Sequence, residues 1–146
     1  MNVSDKQLAA DYSTLHWLLQ TAFPPPWSTP LVIGPDADLM GDFKSILAAH
    51  PAINVSTFHS SPFFPTCTIE DLLRPSTPRL ILAKFNEFLP SKRRYAPQTD
   101  LWLGEGATDE SERKPNNCTG MHFAAGFTYL EMLGIAAQQG IKVFMR

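Results

Sequence analysis

Leu101-Trp102-Leu103-Gly104-Glu105-Gly106 is the stretch on which the reading of the fold turns. Three apolar residues of this kind form a short buried strand. The Gly-Glu-Gly that follows breaks it and leaves a carboxylate at the strand's carboxyl end. Downstream, the spacing predicts a helix over about His122–Gln139, with Gly140 as the residue just past its end. Met121, Phe123, Phe127, Leu130 and Met132 read as its sheet-packing face. A fourth strand is expected over Ile141–Met145. Upstream, Thr77-Pro78 is a helix start. That helix carries Ile81, Phe85, Phe88 and Leu89 to Pro90, with the basic run Lys92-Arg93-Arg94 near its end. Thr68 caps a short turn of helix with Asp71 at its third position.

The pattern repeats toward the N-terminus. Ile53–Phe58 reads as the second strand, preceded by a helix over about Leu39–His50 with Phe43, Ile46 and Leu47 inward. Leu31-Val32-Ile33 reads as the first strand, closed by a Gly34-Pro35-Asp36 turn. Ser4 and Gln7 form a capping-box pattern that opens a helix to about Gln20. Leu8, Tyr12, Leu15 and Leu19 make its stripe, and Pro24-Pro25-Pro26 ends it. Strands alternating with helices imply an α/β fold with a parallel sheet. Two architectures fit, an open doubly wound sheet or part of a (β/α)8 barrel. A dinucleotide fingerprint and a phosphate-binding loop are both absent, which counts against the first.

Composition removes several function classes. The 146 residues carry 44% apolar and 18% charged residues, enough for a core, and 13 prolines, which disfavour a helical bundle. A formal charge of −2 supplies no positive field for nucleic acid. Two cysteines are too few for a disulfide-built scaffold or a four-thiolate zinc site. His59, Cys67, Cys118 and His122 are metal-ligand types, but their spacing fits no zinc pattern. Neither metal nor cofactor is expected. Cys67 and Cys118 form one disulfide only if their separation allows it. Sequons occur at Asn2, Asn54 and Asn117. Asn54 falls in a buried strand, so Asn2 and Asn117 are the glycosylation candidates. The polar N-terminus is not a signal peptide. A secreted chain would then need an origin upstream of Met1.

In either architecture the working groups sit at the carboxyl ends of strands. Those positions are Asp36, His59, Glu105 and Arg146. Glu105 is the sharpest, because Gly104 and Gly106 beside it permit close approach of a ligand to the backbone. A loop carboxylate facing solvent is the plain alternative. His59 is placed to hydrogen-bond a carboxylate on the next strand, or simply to be satisfied by backbone.

From Leu101-Trp102-Leu103-Gly104-Glu105 onward the sequence resembles a known family. Trp-Leu-Gly-Glu, then Phe123-Ala124-Ala125-Gly126-Phe127, Leu133-Gly134, Gly140-Ile141, Val143 and Met145-Arg146 follow the heparanase family, glycoside hydrolase family 79, in order and spacing. Gly34-Pro35-Asp36, Phe58-His59 and Glu70-Asp71-Leu72-Leu73-Arg74-Pro75 match upstream. The resemblance implies a partial (β/α)8 barrel, with residues 1–146 as its C-terminal half, about strands five to eight. It implies a retaining β-glycosidase acting on β-linked uronic acids of glycosaminoglycan-type polysaccharides. Glu105 would be the nucleophile, and His59, Gly104 and Gly106 would lie against the sugar. It implies a secreted or lysosomal protein with possible matrix or peripheral membrane association.

The departures carry information too. The family's acid/base is the Glu of an Asn-Glu-Pro on strand four, a motif these residues lack. Glu110 and Glu112 have no sequence context that promotes them. Ser60 and Ser61 replace a histidine and a tyrosine after His59. Glu112-Arg113-Lys114-Pro115 stands where the family has a glycine triplet, and Asp36 to Asp42 is acidic where the family is basic. Heparan sulfate is therefore a poor expectation. The isolated chain is expected to be inactive, and to oligomerise through unpaired sheet edges. A non-catalytic glycan-binding relative of the enzymes is the alternative.

Overall fold

The computed structural model describes residues 3–61, 68–107 and 123–145. Its elements run α1 (Asp5–Ala22), β1 (Ile33–Ala37), α2 (Met40–Ala48), β2 (Val55–Ser60), α3 (Ile69–Leu73), α4 (Thr77–Tyr95), β3 (Asp100–Gly106), α5 (Phe123–Gln138) and β4 (Val143–Phe144). The strands form one sheet in the order β1-β2-β3-β4, and every pairing is parallel. A doubly wound sheet reverses its strand order, whereas a barrel adds strands in sequence. The sequential order matches the one a barrel uses.

Local chemistry sets three of the helix ends. Ser4 caps α1, its Oγ accepting from the Gln7 N–H at 3.2 Å. At α3 a capping box closes. Asp71 N–H donates to Thr68 Oγ1, and Thr68 N–H donates to Asp71 Oδ2. Gly140, at φ +76°, ends α5. Its N–H reaches the Ala137 carbonyl and the Ile141 N–H the Ala136 carbonyl, a left-handed cap that glycine accepts at little cost.

Helices cover one sheet face. Ala37, Phe58, Leu101 and Leu103 from the strands share a core with Phe43, Leu47, Ile81, Phe85, Phe88, Met132 and Ile135 from α2, α4 and α5. Its centre is aromatic. Phe58 stacks on Phe88 at 4.6 Å and meets Phe43 and Phe85 edge-on. Burying each such ring contributes roughly 1.5–3 kcal/mol. The residues of opposite pleat, Ile33, Pro35, Thr57 and Trp102, stand outside this core.

The structure corrects several expectations. Pro90 does not end α4, which continues to Tyr95. Pro90 and Asn86, whose carbonyl it cannot pair with, are both exposed residues, while Leu89 and Ser91 beside Pro90 are buried, so packing carries the helix on. Gly34-Pro35-Asp36 is not a turn but the body of β1, and Gly104-Glu105-Gly106 continues β3 rather than breaking it. In each case pairing to β2 resumes beyond one extra residue, Asp36 or Gly104, so the strand continues. Asn54 precedes β2 and is exposed. Its carboxamide oxygen accepts the Val32 N–H at 2.8 Å. On α5, Met132 is fully buried, but Phe123, Phe127 and Leu130 face outward, Phe123 at 87% exposure. The inward side of α5 is instead Ala125, Thr128, Met132, Ile135 and Ala136. Leu15 of α1 is likewise exposed. Among the described residues no helix is long and apolar enough to cross a membrane.

Candidate functional site at the carboxyl end of the sheet

Two bulges facing each other across β2 build the site. Between β1 and β2 the register runs Pro35↔Thr57 and then Ala37↔Phe58, so Asp36 is an extra residue. Between β2 and β3 it runs Phe58↔Leu103 and then His59↔Glu105, so Gly104 is extra. Strict alternation would turn Glu105 to the helix side with Leu101 and Leu103. The extra residue reverses that and puts it beside His59. Asp36 adopts φ +61°, a left-handed conformation uncommon outside glycine, asparagine and aspartate. Its N–H is fixed by Thr57 Oγ1 at 2.8 Å.

His59 is the hub. Its Nε2 lies 2.9 Å from Asp36 Oδ1, and its Nδ1 lies 2.5 Å from Asp38 Oδ1. Glu105 Oε2 is 3.9 Å from the same Nδ1. The imidazole is 17% exposed and the Glu105 side chain 53%. Burial alone would lower the His59 pKa, but the carboxylates of Asp36 and Asp38 outweigh it and raise it above the ordinary 6.5. Behind the site, Tyr12 of α1 packs where Gly34 has no side chain. Burial, then the Asp36 charge, raises the Tyr12 pKa.

The two glycines serve the packing around Glu105. A Cβ on Gly104 would overlap the Asp36 carboxylate and stand 3.5 Å from Thr57 Cβ. A Cβ on Gly106 would meet Leu103 Cδ2 at 2.6 Å and Phe144 Cζ at 2.7 Å. The space beside each is thus filled from within the chain.

Of the four strand-end residues singled out in the sequence, the structure brings Asp36, His59 and Glu105 together. Arg146 lies outside the described residues, as do Asn2, Cys67, Glu110, Glu112, Arg113, Lys114, Asn117, Cys118 and His122. His59 takes its nearest partners from the β1 side rather than from β3. Asp38 was not legible as a site residue. Its only signal is its place two residues beyond Asp36. Among the described residues no cluster of His, Cys, Asp and Glu could hold a metal ion.

No family model matches the chain. Its sequence is 29% identical to the heparanase of Mus musculus over 149 residues, covering 96% of this chain and 26% of that protein. It is 28% identical to the heparanase of Rattus norvegicus over 155 residues, covering 100% of this chain and 28% of that protein. The heparanase of Bos taurus matches at 33% over 79 residues, 54% of this chain and 14% of that protein. The chain therefore spans about a quarter of the rodent relatives. Among solved structures, Cel44A, a glycoside hydrolase family 44 endoglucanase from Clostridium thermocellum, superposes with a TM-score of 0.64 at 15% identity. That match covers 99% of this chain and 38% of the endoglucanase. The sequence is heparanase-like, and the fold recurs inside a glycoside hydrolase.

Proposed function

We propose that residues 1–146 are the C-terminal half of the (β/α)8 barrel of a retaining β-glycosidase of family 79, with β1 to β4 as barrel strands five to eight and Glu105 as nucleophile. One observation carries this reading: the β3 bulge sets Glu105 beside His59 at the carboxyl end of a sequentially ordered parallel sheet. That is where (β/α)8 enzymes keep their chemistry.

In the proposed reaction a Glu105 oxygen attacks the anomeric carbon while the bond to the leaving oxygen breaks. An acid residue protonates that oxygen, and water then cleaves the glycosyl ester with retention. The acid/base is the Glu of the family's Asn-Glu-Pro, a motif outside these 146 residues. The chain alone is accordingly inactive. Its substrate class is a polysaccharide with β-linked uronic acids, met outside the cell or in the lysosome, with His59 and the backbone of Gly104 and Gly106 near the bound sugar. Asn2 and Asn117 are the proposed glycan acceptors.

The test is a 2-deoxy-2-fluoro aryl β-glucuronide, whose good leaving group needs little acid assistance. Incubated with the protein that carries this chain and its acid/base, it should leave a covalent sugar on the peptide containing Glu105. Glu105→Gln should abolish both adduct and turnover. Turnover persisting in Glu105→Gln would remove the nucleophile assignment. The alternative, a non-catalytic glycan-binding relative, draws on Ser60 and Ser61 at positions where the family contacts sugar. Glycan binding undiminished in Glu105→Gln, with no turnover in the parent, would favour it.

A further inference from the structure

His59 is gripped from both ring nitrogens, by Asp36 on Nε2 and by Asp38 on Nδ1. A neutral imidazole has one N–H and can donate to only one carboxylate. Donating to both requires the imidazolium. We propose that Asp36 is a positioning residue for Glu105: its carboxylate, seated in the space Gly104 leaves, fixes His59 by Nε2 and so aims the donating Nδ1–H edge at Asp38 and Glu105. The role rests on the reading of Glu105 as nucleophile.

Four independent features fix Asp36. It is the extra residue of the β1 bulge, and its backbone is left-handed. Its N–H is tied to Thr57 Oγ1, and the Gly104 position is open only because it lacks a Cβ. Strained, over-determined residues of this kind cluster at functional sites. The groups facing His59 among the described residues are Asp36 and Asp38 from the β1 side and Glu105 from β3, with Tyr12 of α1 behind Asp36.

This arrangement does something for the cycle that a single carboxylate would not. With Asp38 at 2.5 Å and Glu105 at 3.9 Å, Nδ1–H belongs to Asp38 in the resting state, and the Glu105 carboxylate stays exposed for attack. When Glu105 becomes an ester it loses its charge, yet the imidazolium keeps two partners. The cation therefore persists to stabilise Glu105 as its charge returns on release of the sugar.

The test follows the His59 ring by NMR, with selectively labelled histidine, in the protein that carries this chain. Both ring nitrogens should be protonated at neutral pH. Asp36→Asn should lower the His59 titration midpoint. Gly104→Ala should lower it too, because the new Cβ overlaps the Asp36 carboxylate and displaces it. In turnover of an aryl β-glucuronide, Asp36→Asn should move the alkaline limb of the kcat/KM profile to lower pH and reduce kcat with KM little changed. A singly protonated His59 at neutral pH, or a midpoint unmoved in both variants, overturns the proposal. If the NMR shifts appear while Glu105→Gln still turns over, the nucleophile reading falls and the fixing of His59 by Asp36 stands. If Glu105→Gln is inactive and the shifts are absent, the positioning role falls alone.

Discussion

Replacing Gly106 with alanine should loosen β4 from the sheet. The backbone there is not left-handed, so the substitution adds no torsional strain, and reduced freedom of the unfolded chain stabilises by about 0.4–1 kcal/mol. Against that, the methyl group meets Leu103 Cδ2 at 2.6 Å and two Phe144 ring carbons at 2.7 and 2.8 Å. Leu103 is fully buried among core side chains and has nowhere to go. Phe144 must yield. It sits on a two-residue strand and packs edge-on against Tyr129 at 5.2 Å. Forcing a methyl into such a contact costs about 1–3 kcal/mol. Taken at their midpoints, the two terms leave a net loss of about 1.3 kcal/mol. Urea unfolding should show a lower midpoint at unchanged slope. Hydrogen exchange should localise the damage to the Lys142, Met145 and Gly106 amides, which tie β4 to β3 through Leu101, Leu103 and Met145 carbonyls. A Gly106→Ala chain as stable as the parent, with those amides equally protected, would refute this account of the packing.

Three further outcomes are expected. Phe58→Ala removes the ring at the centre of the aromatic cluster and should cost about 3–5 kcal/mol in denaturant unfolding; a loss under 1 kcal/mol would mean the cluster refills the cavity. Because the folded-state pKa of His59 is raised, its stabilisation is fully present below the ordinary 6.5 and fades as pH rises through the folded value. Unfolding titrations across that window should show parental stability falling with pH and the slope flattening in His59→Gln. Expressed on its own, the chain should sediment as oligomers, since α1 exposes Trp17 and Leu18 and α5 exposes Phe123, Phe127 and Leu130; a monomer with a sharp cooperative melt would count against it.

What could be read from the sequence was whatever is written within a few consecutive residues. The Ser4 cap, the Thr68–Asp71 box and the Gly140 terminus each depend on contacts one turn apart, and all three occur. The alternation of strands and helices, set by apolar runs, also holds, with boundaries displaced by a few residues. Bulges are different. Whether Asp36 and Gly104 are turn residues or extra residues in a continuing strand depends on the register with β2, about 20 and 45 positions away in the chain. Proline at 35 argued for a turn locally, yet β1 is a sheet edge among the described residues, where a missing N–H is tolerated. The candidate site was legible as Asp36, His59 and Glu105 at strand ends. The double carboxylate grip on His59 was not, because it is created by two bulges whose offsets no local pattern records.

The sequential order of the sheet has a consequence for how the molecule is assembled in time. Each strand pairs with the strand before it, and successive helices pack on their predecessors, α2 on α1, α4 on α2 and α5 on α4. Strand pairing therefore never has to span the whole chain, which keeps loop-closure costs small. During synthesis, β1 and β2 can join while β3 is still being made, and each later unit docks on an edge already formed. Within these residues β4 arrives last, and its pairing with β3 is the shortest in the sheet. The half of the site held by Asp36, Asp38 and His59 is thus complete before the ribosome has added Glu105.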